Sequence, residues 1–438
     1  MTNEKKINSP HDYTLLLLIF LNILNLICIV LKLNSLRLLL CVITLAIVIF
    51  SDSSKVLPIL MFIHPNSGMY DSIGFKYLFN FVVIISAVKL IIKNKGNFSK
   101  TNILLFLLIF ALELFLELTS NHFDTKFLSM GSWFCSYLIL VLVSGMSDNI
   151  SFEMVYKYFF VGFAMAFICG IATPLVRWGL NIPTAYRFVG LLRDPNYYCV
   201  DALLLIFGAS TYSKLKEKNK FIYIIPCIIM GLCSVSKMFI LLLVIGLFLS
   251  FIVNFKKINI KKIFPVVMAL LIVIFILYKN GLINMLINKY LYRTETTSAL
   301  TGRDYLWNFY LNSIFDSNKN FLIGSSLNYY STILNPGVNN PFFTNMVAHN
   351  TYLDVVLSWG AVGMFAYISF VFGCFIVAKK NHTKYKLEKN SDFIVSCIVF
   401  LCALFVLSYL SADAFAILIT YLIVLKYGLC IRKEEENG

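Results

Sequence analysis

The sequence predicts an all-α polytopic integral membrane protein, with about 12–14 transmembrane helices and one large outer (periplasmic) loop. Three observations predict it. Hydrophobic residues make up 59% of the 438 and charged residues only 13%, with a mean hydropathy of +0.81. A soluble chain carries roughly 25% charge to cover its surface. Apolar runs close to the ~20 residues that span a bilayer recur along most of the chain. The lysines, finally, gather in short loops between those runs.

In chain order the runs lie at 14–31, 36–50, 73–92, 103–119, 127–146, 154–176, 198–213, 221–234, 237–254, 264–281, 351–378, 393–411 and 413–428. The first is not a cleavable signal peptide, because no small-residue cleavage site follows it and a second run begins almost at once. Continuous rather than alternating hydrophobicity excludes a β-barrel.

The formal net charge is +15, but its distribution excludes nucleic-acid binding. The clusters are Lys93, Lys95 and Lys100; Lys214, Lys216, Lys218 and Lys220; Lys256, Lys257, Lys261 and Lys262; and Lys379, Lys380, Lys384, Lys386 and Lys389. Lys426, Arg432 and Lys433 end the chain. Basic short loops stay in the cytoplasm, and the runs place all of these on one face. The C-terminus is then cytoplasmic, and the loops at 177–197 and 282–350 lie outside. Lys5 and Lys6 favour a cytoplasmic N-terminus as well, yet two spans before residue 51 leave residue 73 on the wrong side. A short third crossing or re-entrant turn near 56–64 repairs the parity.

Nearly all of the eleven cysteines sit inside apolar runs, where they pack between helices. No zinc-ligand spacing, P-loop, dinucleotide-binding glycine pattern or GxSxG occurs, so neither a metal nor a cofactor is expected.

The outer loops carry the chemistry. The loop at 282–350 is too long for a simple connector, and 305–315 has apolar residues at helical spacing, as in an amphipathic helix along the outer interface. The loop at 177–197 holds Arg177, Arg187 and Arg193. Outer arginines run against the charge bias. They suit phosphate, which guanidinium binds bidentately; equally, arginines at helix ends snorkel to headgroups. Glu113 and Glu117 share one helical face within a span, as a structural pair for a lysine or arginine or as part of an acceptor path. Asp201 stands about one turn after Asp194-Pro195-Asn196, placed to orient the arginines. Trp133, Trp178, Trp307 and Trp359 mostly fall near span boundaries, where aromatic belts form.

Four segments occur in order: Arg187-x-x-Gly190-x-x-x-Asp194-Pro195-Asn196, Ser234-Val235-Ser236-Lys237, Gly302-Arg303-x-x-x-Trp307 and His349-Asn350-Thr351-Tyr352-Leu353. Together they resemble the marker segments of the O-antigen polymerase and O-antigen ligase superfamily of bacterial inner membranes, over a core at 154–411 of a single membrane domain. The resemblance implies a GT-C-like membrane glycosyltransferase that is metal-independent. Its donor would be an undecaprenyl-pyrophosphate-linked oligosaccharide. A polymerase passes the glycan to another carrier-linked repeat unit, a ligase to a lipid A–core sugar. A flippase and a chain-length regulator of the same pathway would be partners.

On this reading preorganised cations stabilise the leaving pyrophosphate, and an acceptor hydroxyl needs a general base. His349, Arg187 and Arg303 are the expected catalytic residues, with Arg193, Lys237, Asn196, Asn350 and Tyr352 binding substrate. The superfamily usually has arginine where this chain has Lys237, which keeps the charge without the bidentate fork. His349 alternatively serves only as a helix-start residue bonded to local backbone. Two rival classes fit less well. A flippase or other transporter would show repeated halves with interrupted helices, and a non-catalytic chain-length protein would have two spans and a coiled coil. The compositional bias towards Asn, Ile, Lys and Phe favours the polymerase over the ligase.

Overall fold

A computed structural model describes residues 12–69, 78–94, 99–119, 127–146, 150–171, 195–216, 219–254, 279, 303–327, 348–381, 390–410 and 413–427. Most of the expected span 264–281 and of the loop at 177–197 lies outside these residues. The described residues form helices and no strand. They are α1 (Tyr13–Val30), α2 (Asn34–Phe50), α3 (Val56–Ile63), α4 (Leu78–Asn94), α5 (Lys100–Thr119), α6 (Phe127–Gly145), α7 (Phe152–Ile171), α8 (Pro195–Lys216) and α9 (Phe221–Cys233). There follow α10 (Lys237–Asn254), α11 (Arg303–Phe315), α12 (Asn318–Ile323), α13 (Thr351–Asn381), α14 (Ser391–Ala403) and α15 (Asp413–Tyr427).

Among the described residues, α1, α5, α7 and α13 are long and apolar enough to cross a membrane, and shorter apolar helices accompany them. Large apolar side chains remain open on the outside of the bundle, including Phe20, Leu104, Phe248, Phe365 and Phe372. Polar groups turn inward instead. In the α1–α2 hairpin the buried Arg37 donates from Nε to Asn25 Oδ1 at 3.2 Å, the kind of polar contact that joins helices in lipid. The protein is an all-α polytopic membrane protein.

Side-chain contacts level the helix ends. Asp12, ahead of α1, accepts hydrogen bonds from Lys55 at 3.5 Å and the Tyr158 hydroxyl at 2.9 Å. Lys89, near the end of α4, donates to the carbonyls of Val48 and Ile49 at 2.9 Å each and to that of Ser51, closing the end of α2. Tyr156 of α7 donates to the Leu205 carbonyl of α8 at 2.8 Å. Asp392 at the start of α14 accepts from the Thr211 hydroxyl at 2.7 Å, and Asn390 donates to the Leu425 carbonyl of α15 at 2.9 Å. The starts of α1, α3, α7 and α14 therefore share a face with the ends of α2, α4, α8 and α15. This is the face of Lys93. The distal face holds the starts of α8, α10 and α13 and the ends of α9 and α14.

The parity of the N-terminal region follows. Between Lys55 on the lysine face and Leu78 at the other end of α4, the chain enters the bundle through α3 and the 3-10 turn His64–Met69. Eight α-helical and six 3-10 residues rise about 24 Å together, most of a hydrocarbon core. Val56–Ile63 is buried throughout, packed chiefly on α7. α3 thus lies over the stretch near 56–64 where the charge parity asks for a short crossing or re-entrant turn, and it is buried in the bundle.

The remaining packing positions the distal face. α4 and α15 pack on α6, α8 lies against α9 and α14, and α10 also packs on α14. α13 is broken at Gly360, where φ is +64°. Into this break fits the end of α12: Ser325 and Ser326 donate backbone N–H groups to the carbonyls of Leu357 and Ser358, each at 2.9 Å. A piece of the large loop is thus embedded among the spans.

Candidate active site

Two of the four marker segments meet at the distal ends of α8, α9 and α10. α9 and α10 are joined by the tight turn Ser234–Ser236, with Val235 in a left-handed conformation at φ +51°. Ser234 closes it by donating to the Gly231 carbonyl at 2.6 Å. The Ser236 hydroxyl donates to Asn196 Oδ1 at 2.7 Å, and both residues are buried. Lys237 follows as the first residue of α10, so the bond holds its backbone beside the start of α8. Ser236→Ala is expected to cost about 1–3 kcal/mol, since the buried Asn196 oxygen loses its donor; thermal unfolding in detergent would register the loss.

The other two segments meet across the large loop. Arg303 opens α11, and Trp307, one turn on, donates from its indole to the Ala348 carbonyl at 2.9 Å. Leu306, Tyr310 and Ile314 repeat every fourth residue and bury against Ala348, Leu353 and Leu357. The helix expected over 305–315 therefore exists, and its buried apolar side covers the start of α13. His349, directly after Ala348, has a left-handed backbone with φ +50°. Asn350 caps α13, its Oδ1 accepting from the N–H groups of Tyr352 and Leu353 at 3.0 and 3.1 Å. Tyr352 donates its hydroxyl to the Leu401 carbonyl at 2.9 Å.

One irregular segment joins the two pairs. The expected span 393–411 is a helix only to Ala403, and residues 404–410 continue without helix. Thr351 donates its N–H to the Leu404 carbonyl at 2.8 Å and its hydroxyl to that of Leu407 at 2.6 Å, while Tyr409 N–H bonds back to Thr351 Oγ1 at 3.0 Å. From the other pair, Tyr197 donates to the Ser408 carbonyl and sets its ring edge-on to Tyr409, with centroids 4.6 Å apart. Trp133 of α6 donates to the Leu410 carbonyl at 3.0 Å. Backbone that leaves the helix inside a membrane protein needs such partners.

Residues 222–368, about a third of the chain, match the family model described as O-antigen ligase. This match supports the resemblance to the O-antigen polymerase and ligase superfamily over that segment. The match contains the Ser-Val-Ser-Lys turn, Arg303 and Trp307, and His349 to Leu353. No curated protein matches the chain significantly. The matched family is one of membrane glycosyltransferase-like enzymes.

Set against the superfamily's marker segments, the structure joins Asn196 to the Lys237 turn and Arg303's helix to His349. Arg187 and Arg193 lie outside the described residues. Three features escaped the sequence reading. Asp201 does not stand alone: its Oδ1 lies 3.2 Å from His64 Nε2, and both are buried. The pair ties the end of α3 to α8 below Asn196, though 137 residues separate the two in sequence. Among the described residues Glu113 has no lysine or arginine partner; it accepts from the Trp359 indole at 2.7 Å and from Leu327 N–H at 3.0 and 3.1 Å. Trp133 and Trp359 are core residues, 2% and 0% exposed, rather than members of an aromatic belt. Only the apolar setting of Glu113 was a signal in the sequence, since carboxylates within spans face a partner or a cavity.

Proposed function

We propose that the protein is a surface-polysaccharide (O-antigen) polymerase. It joins undecaprenyl-pyrophosphate-linked repeat units on the outer face of the bacterial inner membrane. The observation that carries this reading is the convergence of the marker segments at the distal face. Asn196–Ser236 and Trp307–Ala348 each join two segments, and residues 404–410 link the pairs. The distal face is the outer one on this reading, with both termini in the cytoplasm.

Arg303 and Lys237, with Arg187 and Arg193 from the basic loop, hold the pyrophosphate and stabilise its charge as it leaves. Arginine serves as a bidentate partner and Lys237 as a point charge. His349 takes the proton of the acceptor hydroxyl. The acceptor oxygen then bonds to the anomeric carbon of the donor glycan, and undecaprenyl pyrophosphate departs with the electrons of the broken bond. Asn350 and Tyr352, whose side chains fix the start of α13, line the acceptor side. A flippase supplying the donor and a chain-length regulator complete the pathway. A ligase that passes the glycan to lipid A–core is the second reading, supported by the description of the matched family.

Gene deletion separates the readings. A surface glycan reduced to a single repeat on a gel is the expected result. Complete glycan retained on the carrier would assign a ligase, and an unchanged glycan would end both readings.

A further inference from the structure

The large loop carries Arg303, yet at the far end of the α11–α12 hairpin Gly324 and Ser326, just after the exposed α12, are buried against α13. Its attachment is unusual chemically. Glu113 lies within α5, 1% exposed, and it is the acceptor for two donors from separate parts of the chain. The Trp359 indole reaches one oxygen from α13 at 2.7 Å, and Leu327 N–H, just past α12, reaches both oxygens at 3.0 and 3.1 Å. Two backbone bonds from Ser325 and Ser326 to Leu357 and Ser358, each 2.9 Å, run alongside. A buried carboxyl is costly in a membrane span, and besides its helix neighbour Glu117 the hydrogen-bond partners of Glu113 belong to the loop and α13.

We propose that Glu113 is a positioning residue, which clamps the inner end of the 303–327 hairpin to the spans and thereby fixes Arg303 at the active site. The proposal rests on the polymerase or ligase reading for its consequence, but the clamp itself can be tested without activity. The chemistry needs a hydrogen-bond acceptor at this depth rather than a negative charge. An amide oxygen placed where Oε2 lies faces both donors but sets its NH2 group where Oε1 meets the Leu327 N–H, so Glu113→Gln weakens the clamp, whereas Glu113→Leu abolishes it. Trp359→Phe removes one donor and leaves the other.

Hydrogen exchange of the full-length protein in nanodiscs reads the attachment directly. In Glu113→Leu, exchange of Ser325, Ser326 and Leu327 amides is expected to rise at least tenfold while α7 and α8 stay protected. Glu113→Gln and Trp359→Phe should each fall between the wild type and Glu113→Leu. Wild-type protection of these amides in Glu113→Leu would overturn the clamp; should that variant not fold, wild-type protection in Trp359→Phe would do the same. In cells, polymerised glycan is expected from Glu113→Gln and not from Glu113→Leu. Normal glycan from a Glu113→Leu protein with a loosened loop would overturn the positioning role. Failure of the functional reading is recognised separately, by unchanged glycan when the gene is deleted.

Discussion

His349→Asn is expected to abolish glycan polymerisation, with a rate loss of about 10²–10⁴-fold for a missing general base, while the protein inserts and folds as before. Asparagine is the informative replacement because the backbone at His349 is left-handed, with φ +50°. Among non-glycine residues asparagine adopts that conformation with little strain. The Trp307 bond to the preceding carbonyl and the Asn350 cap on α13 do not involve the imidazole and would persist. Loss of activity can then be assigned to the ring rather than to a collapsed turn. Turnover of lipid-linked repeat units in membrane vesicles is the measurement. Wild-type turnover by His349→Asn would return His349 to the helix-start role.

The second large effect is expected at the crossing of α12 and α13. Gly324 and Gly360 both have left-handed backbones, with φ +77° and +64°, and each faces the other segment's main chain. A Cβ at Gly324 would collide with the backbone of Ser358 and Trp359, and one at Gly360 with that of Leu322 and Ile323. No flexible side chain is there to give way. Gly360→Ala is expected to cost roughly 1–3 kcal/mol for the left-handed backbone and about 1–3 kcal/mol more for overpacking. Its melting temperature in detergent should fall, with exchange at Ser325 and Ser326 rising in step. An unchanged melting temperature would show that the break in α13 tolerates a methyl group and that the two segments are not in contact.

The long spans are legible because lipid demands continuous apolar length. The eight residues of α3 are too short to read as a span, and only charge parity singles out that stretch, as a short crossing or re-entrant turn. The active-site segments were legible through their resemblance and their order. Their connections were not. His64 and Asp201, or Glu113 and Leu327, meet only because helices distant in sequence pack side by side, and no spacing within one helix records that. The Trp residues were misplaced for a related reason. An indole near the end of a span suits a headgroup belt, but in Trp133 and Trp359 the N–H finds a carbonyl and a carboxylate inside the bundle. The end of α14 was read as helix because Leu404, Val406, Leu407 and Leu410 are apolar, and hydropathy does not distinguish buried irregular backbone from a helical turn.

The segment 404–410 has a consequence for how substitutions distribute. It offers its neighbours carbonyl oxygens, which every amino acid possesses, while Thr351, Tyr197 and Trp133 supply the donating side chains. Constraint therefore falls on the residues that reach for the segment, and its own side chains are held mainly by packing. Residues 404–410 are the common anchorage of both halves of the candidate site, so a shift in this stretch would move both halves at once.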